Sequence, residues 1–302
     1  MTSVVSRTVR IDTLLAAGPT RSFEFFPPKS DEESATLSAT LQDLEALSPS
    51  FVSVTYRGGR ESRQRTFDLV TDIERRGHLV SMAHLICVGH RREEMRDILA
   101  SYLEAGVVNV MALGGDIPSD PALVASDFRH AIELVELARE VGEFSVGVAA
   151  HPLGHPRSSS RASDRHHLAE KLRLADFAVT QFFFELGDWT TLVGELAELG
   201  VTKPVLPGIM PVTTLSGVQR MAQMGAAVPP SLLARLEAAD ARGGPAEVRN
   251  EGVRAAGELS EQLLDAGAPG LHFYTLNRST ATREIHEKIY GPHGVRRGSS
   301  SD

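Results

Sequence analysis

The sequence predicts an α/β protein, a (β/α)8 TIM barrel in a single domain. Eight short β-branched or aromatic runs alternate with amphipathic stretches, the pattern of a parallel sheet whose strands are joined by helices. Several runs are almost continuously apolar, as strands covered on both faces are. The 302 residues suit a barrel of ordinary length. An open doubly wound sheet is the alternative. Its first strand normally leads into a glycine-rich phosphate turn, and here that turn reads FFPPKS.

The predicted strands are SFEFF (22–26), FVSVTY (51–56), LVSMAHL (79–85), VVNVMAL (107–113), FSVGVAA (144–150), FAVTQFFF (177–184), PVLPGI (204–209) and GLHFYTL (270–276). The first runs into Pro27-Pro28 and then a helix, where Ser30 and Glu33 have capping-box spacing. On that helix Leu37, Leu41 and Leu44 share a face. Met95, Ile98, Leu99, Tyr102 and Leu103 form a second stripe, and Phe128, Ile132 and Val135 a third. Between the seventh and eighth runs, helical stretches near 229–238 and 246–266 flank the linker ADARGGPAE. The barrel is expected to occupy residues 1–292, and 293–302 reads as a polar, disordered tail.

Composition narrows the function. With 42% hydrophobic and 23% charged residues the chain is an ordinary globular protein. A net charge of −8 argues against nucleic-acid binding. No run of about 20 apolar residues is present to span a membrane, and the N-terminus lacks the apolar core of a signal peptide. The single cysteine, Cys87, leaves no internal disulfide and fits a cytoplasmic setting. No stripe marks an interface, so the sequence leaves the oligomeric state open.

Barrel active sites gather at the C-terminal ends of the strands. There the chain places Glu24, Thr55, Tyr56, His84, Gly114-Gly115-Asp116, His151, His155, Gln181, Tyr274, Asn277 and Arg278. Glu24 stands among three phenylalanines, and a buried carboxylate must be paired, protonated or in use. Each residue also has a plainer role. Glu24 pairs with an arginine, Asp116 caps a turn, Thr55 fills a strand, His84 bonds within the core and Tyr274 packs. Gln181 needs partners if buried. The prolines of HPLGHP make His151 and His155 a loop pair rather than a helical metal pair. With no HExxH or paired-cysteine pattern, no catalytic metal is predicted.

FEFFPPK, FVSVTY, AHLIC, ALGGDIP, HPLGHP, TQFFFE, PGIMP and HFYTLNR, in that order, resemble the bacterial methylenetetrahydrofolate reductases over about residues 20 to 290. The resemblance implies a (β/α)8 barrel that reduces 5,10-methylenetetrahydrofolate to 5-methyltetrahydrofolate, drawing on NADH through bound FAD. It implies that Glu24 is the general acid that opens the folate ring to a 5-iminium cation. An apolar surround would raise the pKa of that carboxyl. Asp116 and Gln181 match substrate-binding positions. Thr55 and His84 match residues lining the flavin ring, Asp164 and Lys171 a ribityl- and phosphate-contacting pair. Gly115, Ala125 and His155 match further cofactor-binding positions.

Three departures bear on the cofactor. Gly114 stands where the family usually has an arginine, Val124 where it has a tyrosine, and Glu237 aligns with a phenylalanine that packs on substrates. Losing a charged fork and an aromatic face removes contacts that FAD uses. Either neighbouring residues compensate, or FAD binds weakly or not at all and hydride passes directly from NADH to the folate. The departures favour the second. A non-catalytic folate-binding barrel and another flavin-dependent barrel oxidoreductase are the competing readings.

Overall fold

A computed structural model describes residues 8–56, 60–115, 126–223, 226 and 228–291. Asp116, Val124, Ala125 and the tail 293–302 lie outside them. In chain order the strands are β1 (Thr20–Phe25), β2 (Phe51–Val54), β3 (Ser81–Ile86), β4 (Asn109–Leu113), β5 (Ser145–Ala150), β6 (Phe177–Thr180), β7 (Val205–Leu206), β8 (Gly208–Ile209) and β9 (Gly270–Tyr274). All pair in parallel, in the order β7-β6-β5-β4-β3-β2-β1-β9-β8. The barrel expected from the sequence is therefore present.

The seventh run is two strands because Pro207 interrupts it. Proline has no N–H for a ladder, but its carbonyl accepts from His272 N at 3.0 Å. Before the break Leu206 pairs with Val179, and after it Ile209 pairs with Phe273. One stretch of chain thus serves both edges and draws the barrel nearly closed. Gly208 N donates to Thr180 Oγ1 at 2.9 Å, and a Cβ at Gly208 would overlap the Thr180 carbonyl oxygen and the Tyr274 ring. Only glycine fits at this crossing.

The helices are α1 (Ile11–Ala17), α2 (Asp31–Glu45), α3 (Arg60–Arg76), α4 (Arg92–Glu104), α5 (Ala131–Val141), α6 (Arg161–Leu174), α7 (Leu186–Glu198), α8 (Gly217–Gln223), α9 (Pro230–Asp265) and α10 (Thr280–Tyr290). Ser30 caps α2, accepting from Glu33 N at 3.2 Å, while Glu33 accepts from Lys29 N rather than from the cap itself. Several boundaries differ from expectation. β6 stops at Thr180 and leaves Gln181 in the following loop. The stretches 229–238 and 246–266 join into α9, broken only at Gly243 and Gly244, with Gly244 at φ 64°. The short helices α1 and α8 have too few turns to show periodicity in the sequence.

Strand residues alternate between two environments. Phe23, Phe25, Val52, Val54, Ala83 and Leu85 pack outward in the large cluster shared with the helices. Phe51, Met82, Met111, Phe177, Val179 and Leu206 form a separate cluster with Ile11 and Leu15 of α1. Helix α1 is held across the N-terminal end of the strands. Asn109 accepts from Ile11 N at 2.8 Å and donates to Val9 O at 3.0 Å, and Ser145 Oγ accepts from Asp12 N at 3.0 Å.

Candidate active site

At the opposite end of the strands the side chains that meet are polar. Glu24, one residue before the end of β1, is 9% exposed. Its Oε2 lies 3.3 Å from His272 Nε2, 3.4 Å from His84 Nε2 and 3.4 Å from Ser53 Oγ, which donates to it. The His84 nitrogen is close enough for charge to act but makes no hydrogen bond. Behind His272, Ser22 Oγ sits 2.8 Å from Nδ1. No arginine pairs with Glu24 among the described residues.

The apolar surround expected for Glu24 is absent. Its phenylalanine neighbours in sequence point outward, and strand alternation turns Glu24 toward two histidines and a serine. Burial pushes the carboxyl up. The charge of His84, the hydrogen bond and charge of His272, and the Ser53 bond outweigh it, so the net direction is down from 4.5. His84 is itself lowered by burial, partly offset by Glu24. Tyr274, the register partner of Glu24 on β9, is raised well above its ordinary value by burial and then by Glu24; its hydroxyl donates to Thr180 O at 2.6 Å.

The β9–α10 turn holds the end of β1 in place. Thr275 Oγ1 donates to Glu24 O at 2.6 Å. Asn277 Oδ1 accepts from Phe26 N at 2.8 Å, and its Nδ2 donates to Phe26 O at 2.9 Å. Leu276 and Asn277 both lie in the left-handed region, at φ 51° and 58°, where asparagine is better tolerated than most residues. This two-way bond fixes where the Glu24 side chain leaves the backbone.

The predicted cofactor positions separate into two groups. Thr55 Oγ1 and His84 Nε2 are buried without a hydrogen-bond partner, which suits residues that await a polar ring. Asp164 is already occupied: it accepts from Ser158 Oγ at 3.4 Å and from Arg165 Nη1 at 2.6 Å. Lys171 donates to Ala149 O at 3.1 Å; burial lowers its pKa and Asp164 partly restores it. His155 packs edge-on against His151, with ring centroids 4.6 Å apart, and His151 is pushed down to about 4, first by burial and then by His155. Gly115, at φ 85°, is obligatory, because a Cβ would overlap Ile86 Cγ2. Gly114 is not held to glycine by the described residues, since a Cβ there would come no closer than 3.9 Å to any of them. Gln181 N donates to Ala150 O at 2.8 Å, and its side chain accepts from Phe182 N at 3.1 Å.

Glu237 lies exposed on α9. The helix that follows β8 is α8, and its buried apolar residue is Met221. Cys87 is buried and its thiol is pushed up to about 12, chiefly by burial, which keeps it inert. Sequence reading missed Ser22, Ser53 and His272 as parts of the site. The available signal was their spacing: Ser22-x-Glu24, Ser53-x-Thr55 and His272-x-Tyr274 each put two polar residues on one strand face.

The profile of the family described as methylenetetrahydrofolate reductase matches residues 10–290. The 5,10-methylenetetrahydrofolate reductase of Pectobacterium carotovorum subsp. carotovorum is 34% identical over 266 residues, covering 87% of this chain and 88% of that protein. That of Escherichia coli (strain K12) is 34% identical over 282 residues, covering 92% and 91%. Among solved structures, an uncharacterized protein from Clostridium thermocellum that binds two copies of 5-methyl-5,6,7,8-tetrahydrofolic acid superposes with a TM-score of 0.63 at 12% identity, over 91% of this chain and 96% of that one. At that identity the likeness shows the shared fold.

Proposed function

Because the chain belongs to the methylenetetrahydrofolate reductase family, we propose that it reduces 5,10-methylenetetrahydrofolate to 5-methyltetrahydrofolate with NADH in the cytoplasm, with Glu24 as the acid. The observation that carries this reading is the buried carboxylate at the C-terminal mouth, surrounded by donors that can take or return a proton. Glu24 gives a proton to the folate nitrogen whose bond to the bridging carbon breaks. The ring opens to the iminium, hydride adds to its carbon, and a methyl group results. Asp116 and Gln181 hold the pterin.

In the free protein the neighbours hold the Glu24 carboxyl low. His272 reconciles this with an acid role. Its Nε2 can donate to the carboxylate or accept from the acid, and Ser22 Oγ can complement either tautomer at Nδ1. Glu24, His272 and Ser22 therefore form one hydrogen-bonded unit that accommodates either protonation state of the carboxyl. A folate covering the mouth strips water from that unit and raises the proton affinity of the carboxyl.

The residues fit the ring end of a flavin better than its chain. Thr55 and His84 offer unused polar atoms to a ring, and Gly115, Ala125, His155, Asp164 and Lys171 would hold the remainder. Bound FAD would supply a carrier that takes hydride from the nicotinamide and passes it on. The bare Gly114 and the occupied Asp164 favour weak flavin binding and direct transfer from NADH.

The test is NADH oxidation by the purified protein with and without 5,10-methylenetetrahydrofolate, alongside its visible spectrum. Oxidation that requires the folate is expected. Folate binding without oxidation would leave a non-catalytic barrel, and oxidation indifferent to folate would point to another oxidoreductase. A colourless, active protein would support direct transfer, and a flavin spectrum near one per chain would support the carrier route.

A further inference from the structure

Three arginines on and beside α6 are paired with acids, while Arg173 of α6 donates to Leu199 O at 3.1 Å. Arg161 lies 3.0 Å from Glu195, Arg165 lies 2.6 Å from Asp164 and 2.7 Å from Glu195, and Arg139 lies 2.8 Å from Asp176. Arg157, in the loop between β5 and α6, makes no ion pair among the described residues. Instead its Nη2 donates to Gly115 O at 3.1 Å, across 42 residues of chain. That carbonyl adjoins Gly114, where the backbone carries no side chain and a Cβ would come no closer than 3.9 Å to any described residue. An exposed guanidinium is thus delivered from a neighbouring loop to the end of β4.

The surroundings suit a phosphate. Arg157 N donates to His155 Nδ1 at 3.1 Å, which ties the start of the Arg157 side chain to that ring. The half-buried ammonium of Lys171 is anchored on Ala149 O of the adjoining strand. A guanidinium has five N–H donors in a planar fork that matches phosphate oxygens, and the Gly115 bond uses one of them.

We infer that Arg157 binds the diphosphate of an adenine dinucleotide at the β4–β5 side of the mouth, doing from the β5–α6 loop what a side chain at position 114 does not do here. This rests on the reductase reading above and names the residue that would hold its cofactor. FAD and NADH share this diphosphate, so the test treats them separately.

The experiment is equilibrium titration of the intact protein with FAD and with NADH, read by ligand fluorescence, for wild type, R157A, R157K and R161A. Melting temperatures are recorded for each. For whichever dinucleotide the wild type binds, R157A is expected to weaken binding about 10-fold, the loss of a charge-assisted bidentate contact. R157K should recover part of that loss, and R161A should bind as wild type. In turnover R157A should raise KM for NADH with little change in kcat if NADH is the ligand held. Wild-type affinity in R157A for both dinucleotides overturns the inference and leaves the reductase reading standing. An equal loss in R161A also overturns it, because the loop rather than the guanidinium would then matter. A wild type that binds neither dinucleotide overturns both.

Discussion

The two ends of the barrel interior are built from the same strands and differ in almost every other respect. At the N-terminal end Phe51, Met82, Met111, Phe177 and Leu206 close on Ile11 and Leu15, and α1 seals the opening. A few residues further along the same strands, the inward positions become Glu24, Ser53, Thr55, His84 and His272. The apolar end buries surface without polar obligations and stabilises the fold. The polar end holds one carboxylate against two histidines and leaves Thr55 Oγ1 and His84 Nε2 unsatisfied, an arrangement that costs stability unless a ligand completes it. Stability and chemistry are thus separated along the strand axis, so each can be perturbed alone.

The largest effect is expected from E24Q. It removes the proton donor but keeps the shape, and turnover should fall about 10²–10⁴-fold while the melting temperature stays close to wild type. Unchanged turnover would remove Glu24 from the chemistry. The converse is F177A at the apolar end, where a fully buried ring is lost. Stability should drop by about 3–5 kcal/mol in denaturant melts, while the protein that remains folded keeps wild-type KM for folate. A large change in KM would show that the two ends are coupled.

H272Q sharpens the polar end. Its bond holds the Glu24 carboxyl down, so weakening it should raise that pKa and move the alkaline limb of the turnover profile to higher pH. A profile shifted the other way, or not at all, would remove His272 as the group that sets the proton.

The smallest effect concerns a histidine outside the proposed site. His286 on α10 is 2% exposed, and its Nε2 faces Arg21 Nη1 at 3.4 Å. Burial and then Arg21 hold its pKa at about 4 against 6.5. The unfolded chain therefore takes up a proton that the folded chain refuses. Stability from this group is intact above pH 6.5 and is lost as pH falls toward 4. H286Q should flatten that part of the stability curve by roughly 1–3 kcal/mol. His151, also lowered to about 4, keeps the remaining slope.

By itself the sequence determined the barrel, because near-continuous apolar runs alternating with amphipathic stretches have few other ways to bury themselves. It also determined that Glu24 stands at a strand end and that Gly115 follows β4, since both are matters of local order. Tertiary structure decided the rest. Whether Glu24 meets phenylalanines or histidines depends on which face of β1 turns inward, and the partners His84 and His272 come from strands 60 and more residues away. The break at Pro207 becomes a closure only because β6 and β9 lie on either side of it. The departure at Gly114 reads in the sequence as a lost charge, yet Arg157 reaches the same place from another loop. A side chain's chemistry is local, but its electrostatic surroundings are set by strands and loops that only the closed fold brings together.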